Sequence, residues 1–271
     1  MRLARGSAAW DVRLDSRQVV GDARVPDAEG APIVVRLQTL RLPAGNADQA
    51  QDEDGADPLA SFDPRKVPPL DVRIDTLYRG DDLYGSAAIK LRPTRTGVNA
   101  SDIDLNLKGL RIDGAGGWDG AGGTSWYKGR VQGKQLGDVL TAWGFAPTVT
   151  ARDFRMDVDG RWPGSPAAIS LKRFSGSLDA VLHSGQFVEV DGGAQALRVF
   201  GLLNFNAIGR RLRLDFSDLF EKGLAYDRLK GLLVASEGVY VTRTPIKVTG
   251  PSSDFELDGT CLLYTSPSPR D

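Results

Sequence analysis

Closely spaced acidic side chains are the first candidates for chemistry in this sequence. The pairs lie two or four residues apart and comprise Asp102 with Asp104, Asp157 with Asp159, and Asp71 with Asp75. A glycosidase uses two carboxyl groups, one of which has a raised pKa. Each pair here falls on the polar positions of an alternating segment, so the spacing favours solvated strand exteriors over a hydrolytic site.

The other residues that commonly carry catalysis or bind metals are scarce. The chain has one histidine, His183, in a strand-like run, and no G-x-S-x-G elbow that would present a nucleophile to it. The single cysteine is Cys261. The acids at 48, 52, 54 and 57 lack the spacing of an EF-hand. We therefore expect no catalytic residues, no metal and no cofactor, and we interpret the chain as not being an enzyme.

Nucleic acids and nucleotides are also poor candidates for partners. The formal net charge is −1, whereas phosphate recognition usually leaves a basic excess. The glycine-rich run at 114–123 matches neither the G-x-G-x-x-G nor the Walker pattern, and no helix follows it directly. We interpret it as the end of a hairpin.

The elements that must position any site are strands, because apolar and polar residues alternate along much of the chain. Period two places one set of side chains on a buried face and the other on a wet face, which is typical of antiparallel sheets. Four apolar rows stand out: Val72 and Ile74; Ile103, Leu105 and Leu107; Phe154, Met156 and Val158; and Leu212, Leu214 and Phe216.

Further strands are predicted at 8–15, 31–42, 83–92, 124–132, 167–174, 176–183, 228–235, 238–242 and 254–258. After Leu107 the alternation changes phase, which suggests a β-bulge at Gly109. Helical spacing predicts an amphipathic helix over 134–144 that ends at Gly144, a second helix over 194–206 and a short turn of helix at 217–222. The fold class is therefore all-β dominated: an extended, twisted antiparallel sheet with two or three short helices.

Strand-like alternation runs through residues 1–260, and we divide it at about residue 100 because only the second part carries motifs that resemble a known family. Residues 1–100 form a β-rich segment, within which 44–58 is rich in acids and reads as a solvated loop. Residues 101–260 form a second β-rich region. The last eleven residues, 261–271, break this texture and look like a translated sequencing adapter, so we interpret them as a non-native tail. No run is long and apolar enough to span a bilayer, and we expect any anchor or export signal to lie upstream.

Four blocks within 102–259 resemble the C-terminal region of the AsmA-like proteins of the YhdP family, which are large proteins of Gram-negative bacteria. The blocks, in family order, are 133–145 (GKQLGDVLTAWGF), 160–166 (GRWPGSP), 196–220 (ALRVFGLLNFNAIGRRLRLDFSDLF) and 250–259 (GPSSDFELDG). The third block is the most specific of them.

The resemblance implies a periplasmic body that is anchored in the inner membrane through a segment missing from this chain. It also implies a sheet curled into an apolar groove that moves phospholipid toward the outer membrane and supports its barrier. The partners would be phospholipid acyl chains, the inner membrane and other envelope proteins. The four apolar rows would then contact lipid.

Two other functions stay open from the residues alone. The same alternation also builds a closed sandwich core, so the chain could be a structural or assembly scaffold of the cell envelope. Apolar side chains exposed along one continuous strip would favour the groove, and a closed core would favour the scaffold. A carboxylate-based hydrolase ranks last, because it requires two acids that converge in one pocket.

Overall fold

The computed structural model describes residues 1–43, 57–188, 224–251 and 254–262. Within these residues the chain forms fifteen strands, numbered in chain order. They are β1 Arg2–Arg5, β2 Ala9–Asp15, β3 Val19–Pro26, β4 Ile33–Leu42, β5 Leu70–Arg79, β6 Asp82–Pro93, β7 Gly97–Leu107, β8 Leu110–Asp119, β9 Thr124–Lys134, β10 Val149–Pro163, β11 Ser175–Phe187, β12 Ala225–Ser236, β13 Val239–Thr249, β14 Asp254–Leu257 and β15 Thr260–Leu262.

The strands are hydrogen-bonded to one another in chain order from β1 to β14, and β15 pairs with β13. Sequential antiparallel pairing follows from the short turns that join most of them. The mainly antiparallel β fold that the alternation predicts is confirmed.

One pair of neighbours departs from this pattern, because β4 and β5 run parallel, with Val35 opposite Val72 and Leu37 opposite Ile74. A parallel pair needs a crossover connection of a dozen or more residues, whereas a hairpin needs two. Residues 43–69 provide that length. The predicted acidic loop at 44–58 falls within this connection, and its residues 44–56 lie outside the described part of the chain.

The bulge predicted at Gly109 is wrong. Lys108 and Gly109 instead form a two-residue turn between β7 and β8, with Leu107 opposite Leu110. Both residues have positive φ angles, 44° and 84°, as the favoured two-residue hairpin turn requires. The phase change in the sequence therefore marks the reversal of the chain. The glycine-rich run is only partly a turn, because β8 continues to Asp119.

The helix predicted over 134–144 is confirmed as α1, Leu136–Ala142, and Gly144 follows it with a φ of 81°. Residues 194–206 and 217–222 lie outside the described residues. The strand predicted at 167–174 is wrong. A 3-10 turn occupies Pro166–Ala168 instead, and the Ser165 side chain caps it by accepting a hydrogen bond from the backbone N–H of Ala167.

Contacts divide the chain into two compact units. Unit 1 comprises Met1–Arg130 and Arg161–Ile169, and unit 2 comprises Val131–Gly160 and Ser170–Asp271. The division at residue 100, which rested on where the family resemblance begins, stays a prediction.

Unit 2 has a small closed core. Tyr226, Ile246 and Val248 are buried there, on β12 and β13. The half-buried side chains packed against them are Val149, Leu182, Phe187, Leu229, Leu233, Phe255 and Leu257. Tyr226 crosses over Gly185 and donates a hydrogen bond to the Thr150 carbonyl oxygen, and its ring lies 5.4 Å from that of Phe187. Burial raises the pKa of the Tyr226 hydroxyl.

Candidate functional site

In unit 1 the strand register aligns apolar side chains from seven neighbouring strands on one face of the sheet. Residues paired across strands share a face, so each lateral row is read directly from the register. The first row is Val12, Ala23, Val35, Val72 and Ile89. The second is Leu14, Gly21, Leu37, Ile74, Ala87, Leu105 and Ile112. The third is Val19, Leu40, Leu77, Gly85, Leu107 and Leu110. We call these three rows the apolar face.

Bulges keep the apolar face continuous where the alternation slips. Leu37 and Leu40 are three residues apart, as are Ile74 and Leu77, yet in each case the register shifts so that both point to the same side. The register of β7 shifts in the same way beside Asp102, which has a φ of 50°. An extra residue in a strand restores the facing direction of the side chains that follow it.

Side chains on the apolar face keep part of their surface exposed. Of the five predicted lipid-contact residues of unit 1, Val72, Ile74, Leu105 and Leu107 lie in the three rows. Ile103, two residues before Leu105 on β7 and opposite Gly114, points to the same side, and all five are half-buried. Leu37, at 7% exposure, is the most buried large side chain of the three rows. Large contiguous apolar surfaces that stay accessible commonly mark binding sites.

One end of this face is closed by packed chain, which we call the closed end. Val98 and Trp118 are buried there, and the ring of Phe62 stacks on Trp118 with centroids 6.2 Å apart. Buried Pro64 packs against Gly120. Asp57 fixes the segment that carries Phe62, since it accepts hydrogen bonds from the Ser165 backbone N–H (2.8 Å) and hydroxyl (2.5 Å).

The opposite face of unit 1 is wet and carries the carboxylates. Four acids of the candidate pairs form ion pairs with bases on the same or adjacent strands: Asp71 with Arg92, Asp75 with Arg73, Asp102 with Lys90 and Asp104 with Arg111. The hydrogen bond from Lys90 lowers the pKa of Asp102, opposite to what a general acid requires. These contacts support the interpretation of the pairs as strand exteriors.

Tyr127 lies on β9, the neighbour of β8 in the sheet. Its hydroxyl donates to the Asp113 carbonyl oxygen at 2.9 Å, with the Arg130 carbonyl oxygen at 3.2 Å. Burial, followed by the charge of Asp113, raises the pKa of Tyr127 to about 12 from the ordinary 10.0. The folded protein therefore favours the protonated hydroxyl.

This raised pKa predicts an alkaline loss of stability that depends on Tyr127. The contribution is fully present below pH 10 and is lost as the pH rises through about 12, because the unfolded chain then loses the proton more readily. Tyr127→Phe should flatten the decline in the denaturation midpoint over this range. It should also cost about 1 kcal/mol at neutral pH through the lost hydrogen bond. An alkaline decline as steep as that of the wild type would contradict the assignment.

In unit 2 the predicted row Phe154, Met156 and Val158 lies on β10, and all three side chains are half-buried. Asp153 contacts His183 of β11, so alternation places Phe154 on the other face of its strand. The predicted row Leu212, Leu214 and Phe216 lies outside the described residues.

His183 makes a short surface contact. Its Nδ1 lies 2.7 Å from Asp153 Oδ1, and the side chains of both are about 40% exposed. The hydrogen bond from His183, followed by that from Arg152, lowers the pKa of Asp153. The strand-like run that the sequence predicts around His183 is part of β11, and the side chain lies on the solvated side of that strand.

The structure extends the apolar face beyond the predicted rows to β2, β3, β4, β6 and β8. Trp10, Val12 and Leu14 already alternate with charged residues in the sequence. The sequence analysis did not include these strands in the site. Alternation shows that a strand has an apolar side, but only the register between strands shows which apolar sides lie on the same face. Among the described residues no group of acids, histidines or cysteines has the arrangement of a metal site. No helix in the described ranges has the length and hydropathy needed to cross a bilayer.

The sequence of this chain is similar to a known protein family and to a relative of described function. The family described as YhdP protein matches residues 1–266, so the similarity extends well before residue 102. The chain is 26% identical over 163 residues to the intermembrane phospholipid transporter YhdP of Escherichia coli K12, which covers 59% of this chain. The aligned part spans 13% of that relative's length. No solved structure matches. The chain belongs to the YhdP family.

Proposed function

We propose that this chain is part of a periplasmic phospholipid transporter and shelters acyl chains on the apolar face of a sheet curled into a groove. The observation that carries the proposal is the continuity of the apolar face, whose three rows together extend from β2 to β8 and consist largely of half-buried side chains. The E. coli relative, whose name describes an intermembrane phospholipid transporter, supports it. We propose lipid contact for the eight described residues of the predicted rows, five of them in unit 1 and three in unit 2.

The energetics of lipid transfer suit such a face. Each methylene exposed to water costs about 0.8 kcal/mol, so a chain of roughly 16 carbons costs on the order of 12 kcal/mol to expose. Rows of leucine, isoleucine and valine offset most of this cost without special chemistry. The head group stays in water at the end of the strands.

The setting of the chain is part of the same proposal. We place it in the periplasm of a Gram-negative cell, held at the inner membrane by an anchor outside this sequence, with transfer toward the outer membrane. Other envelope proteins would be its partners. The role requires no catalytic residue and no cofactor, so we propose a chain without enzymatic activity.

A scaffold of the cell envelope is the second candidate. The core of Tyr226, Ile246 and Val248 in unit 2 favours it, because these side chains are buried against other apolar side chains of the same unit. The two roles are compatible, because the buried core belongs to unit 2 and the proposed lipid-binding face belongs to unit 1.

Mass spectrometry of lipids that copurify with the chain after expression in the periplasm tests the proposal. Phospholipid at about one molecule or more per chain, resistant to washing with buffer, is the expected result. A folded protein without lipid, even after incubation with phospholipid vesicles, would favour the scaffold.

A further inference from the structure

Two cationic side chains stand at the open end of the apolar face, opposite the closed end. Arg79 follows Leu77 of the third row by two residues, so alternation places it on the same side of β5. Lys108 follows Leu107 of the same row directly, in the turn between β7 and β8. The rows are apolar up to this point, and the two cationic side chains follow within one or two residues.

Both cations converge on Tyr84. The Arg79 Nη1 lies 3.4 Å from the Tyr84 hydroxyl, and the Lys108 Nζ lies 4.4 Å from the centroid of the Tyr84 ring. The backbone also fixes this arrangement, since the Lys108 N–H donates to the Tyr84 carbonyl oxygen at 2.8 Å. A guanidinium group, an ammonium group and a tyrosine side chain therefore lie together at one end of strands β5 to β8.

We propose that Arg79, Tyr84 and Lys108 form a rim site that binds the phosphate of a phospholipid whose acyl chains lie on the apolar face. The inference rests on the proposed function and adds the position and charge of the head-group contact. Arginine and lysine are the common partners of phosphate oxygens, and the hydroxyl adds a further donor. An apolar surface that ends in two cations complements an anionic amphiphile.

The other charges at this end of the sheet are mixed, and they differ in the face to which they belong. Arg41 belongs to the same end of the sheet, but it alternates with Leu40 and Leu42 and therefore points to the wet face. Its guanidinium stacks 3.8 Å from the Tyr78 ring centroid and lies 4.0 Å from the Asp81 carboxylate. Asp82, opposite Arg79 in the register, is an exposed carboxylate that opposes an anion, and the two cations Arg79 and Lys108 outnumber it. At the closed end, by contrast, packed chain occupies the corresponding position.

The test compares lipids that differ only in the head group. The full chain is titrated with phosphatidylglycerol and with diacylglycerol of the same acyl chains, each carrying the same fluorescent label. Arg79→Gln combined with Lys108→Gln removes both charges. Arg41→Gln is the matched control, because it removes one cation from the same edge but from the wet face. Glycerol phosphate is added separately as a competitor.

We expect the double variant to weaken phosphatidylglycerol binding by roughly 3- to 10-fold, as for exposed charge pairs, and the effect should shrink in high salt. Diacylglycerol binding and the Arg41→Gln variant should stay at the wild-type value. Competition by glycerol phosphate alone would assign the site to free phosphate and overturn a lipid site.

The outcomes separate this inference from the function on which it rests. Equal phosphatidylglycerol binding by the wild type and the double variant, with diacylglycerol still bound, would overturn the rim site and leave the apolar face intact. Binding of neither lipid by the wild type would overturn the proposed function together with the rim site. Circular dichroism of each variant confirms that the comparison is made between folded chains.

Discussion

Leu105→Asp is expected to reduce lipid binding on the order of 100-fold while the chain stays folded. Leu105 lies in the second row, between Ala87 of β6 and Ile112 of β8. A carboxylate at this position would lose its hydration against acyl chains, or would have to bind a proton to avoid that loss. Its half-buried position leaves solvent access in the lipid-free protein, so the folded state tolerates the charge better than the complex does.

Titration with labelled phosphatidylglycerol measures the effect. Asn106→Asp is the matched control, because it introduces the same charge on the next residue of β7, where the side chain is exposed on the wet face. This control should bind lipid as the wild type does. If a folded Leu105→Asp variant bound lipid as tightly as the wild type, acyl chains would not cross this row. If both variants lost lipid affinity equally, the loss would be a nonspecific effect of the added charge.

Gly85→Ala is expected to destabilise unit 1 by about 3 kcal/mol or more, which is a large part of the stability of an ordinary domain. Gly85 lies in the third row between Leu77 and Leu107, at a shift in the β5–β6 register. Its φ of 135° disfavours a side chain, and a Cβ at this position would overlap the Asn106 carbonyl oxygen. The strands must therefore separate, or the bulge must rearrange. Chemical denaturation followed by circular dichroism measures the loss.

Gly30→Ala separates the two causes of that loss. Gly30 also has a positive φ, 76°, but a Cβ there would meet nothing within 4 Å. This control carries backbone strain without the clash and should cost only about 1 kcal/mol. If the two variants lost stability equally, backbone strain alone would account for the effect, and the close approach of β6 to β7 would not be limiting.

Local patterns in the sequence were sufficient for the strands and for α1. Alternation depends only on neighbours along the chain, so Val72, Ile74 and Leu105 could be assigned to apolar sides from the sequence. The helix over 136–142 followed from its apolar spacing and from the glycine after it. The strand predicted at 167–174 failed because the Ser-Pro pair at 165–166 begins a capped 3-10 turn, a local signal that outweighs alternation.

The sequence by itself determined that this chain forms an antiparallel sheet with one apolar and one charged side, because side-chain period two is a property of every strand. Tertiary structure decided which strands share that apolar side, since register, bulges and the parallel β4–β5 pair depend on partners far apart in the chain. It also decided that Asp57 and Phe62 close one end of the face while Arg79 and Lys108 gather around Tyr84 at the other. Those contacts join residues whose spacing along the chain gives no sign that they meet.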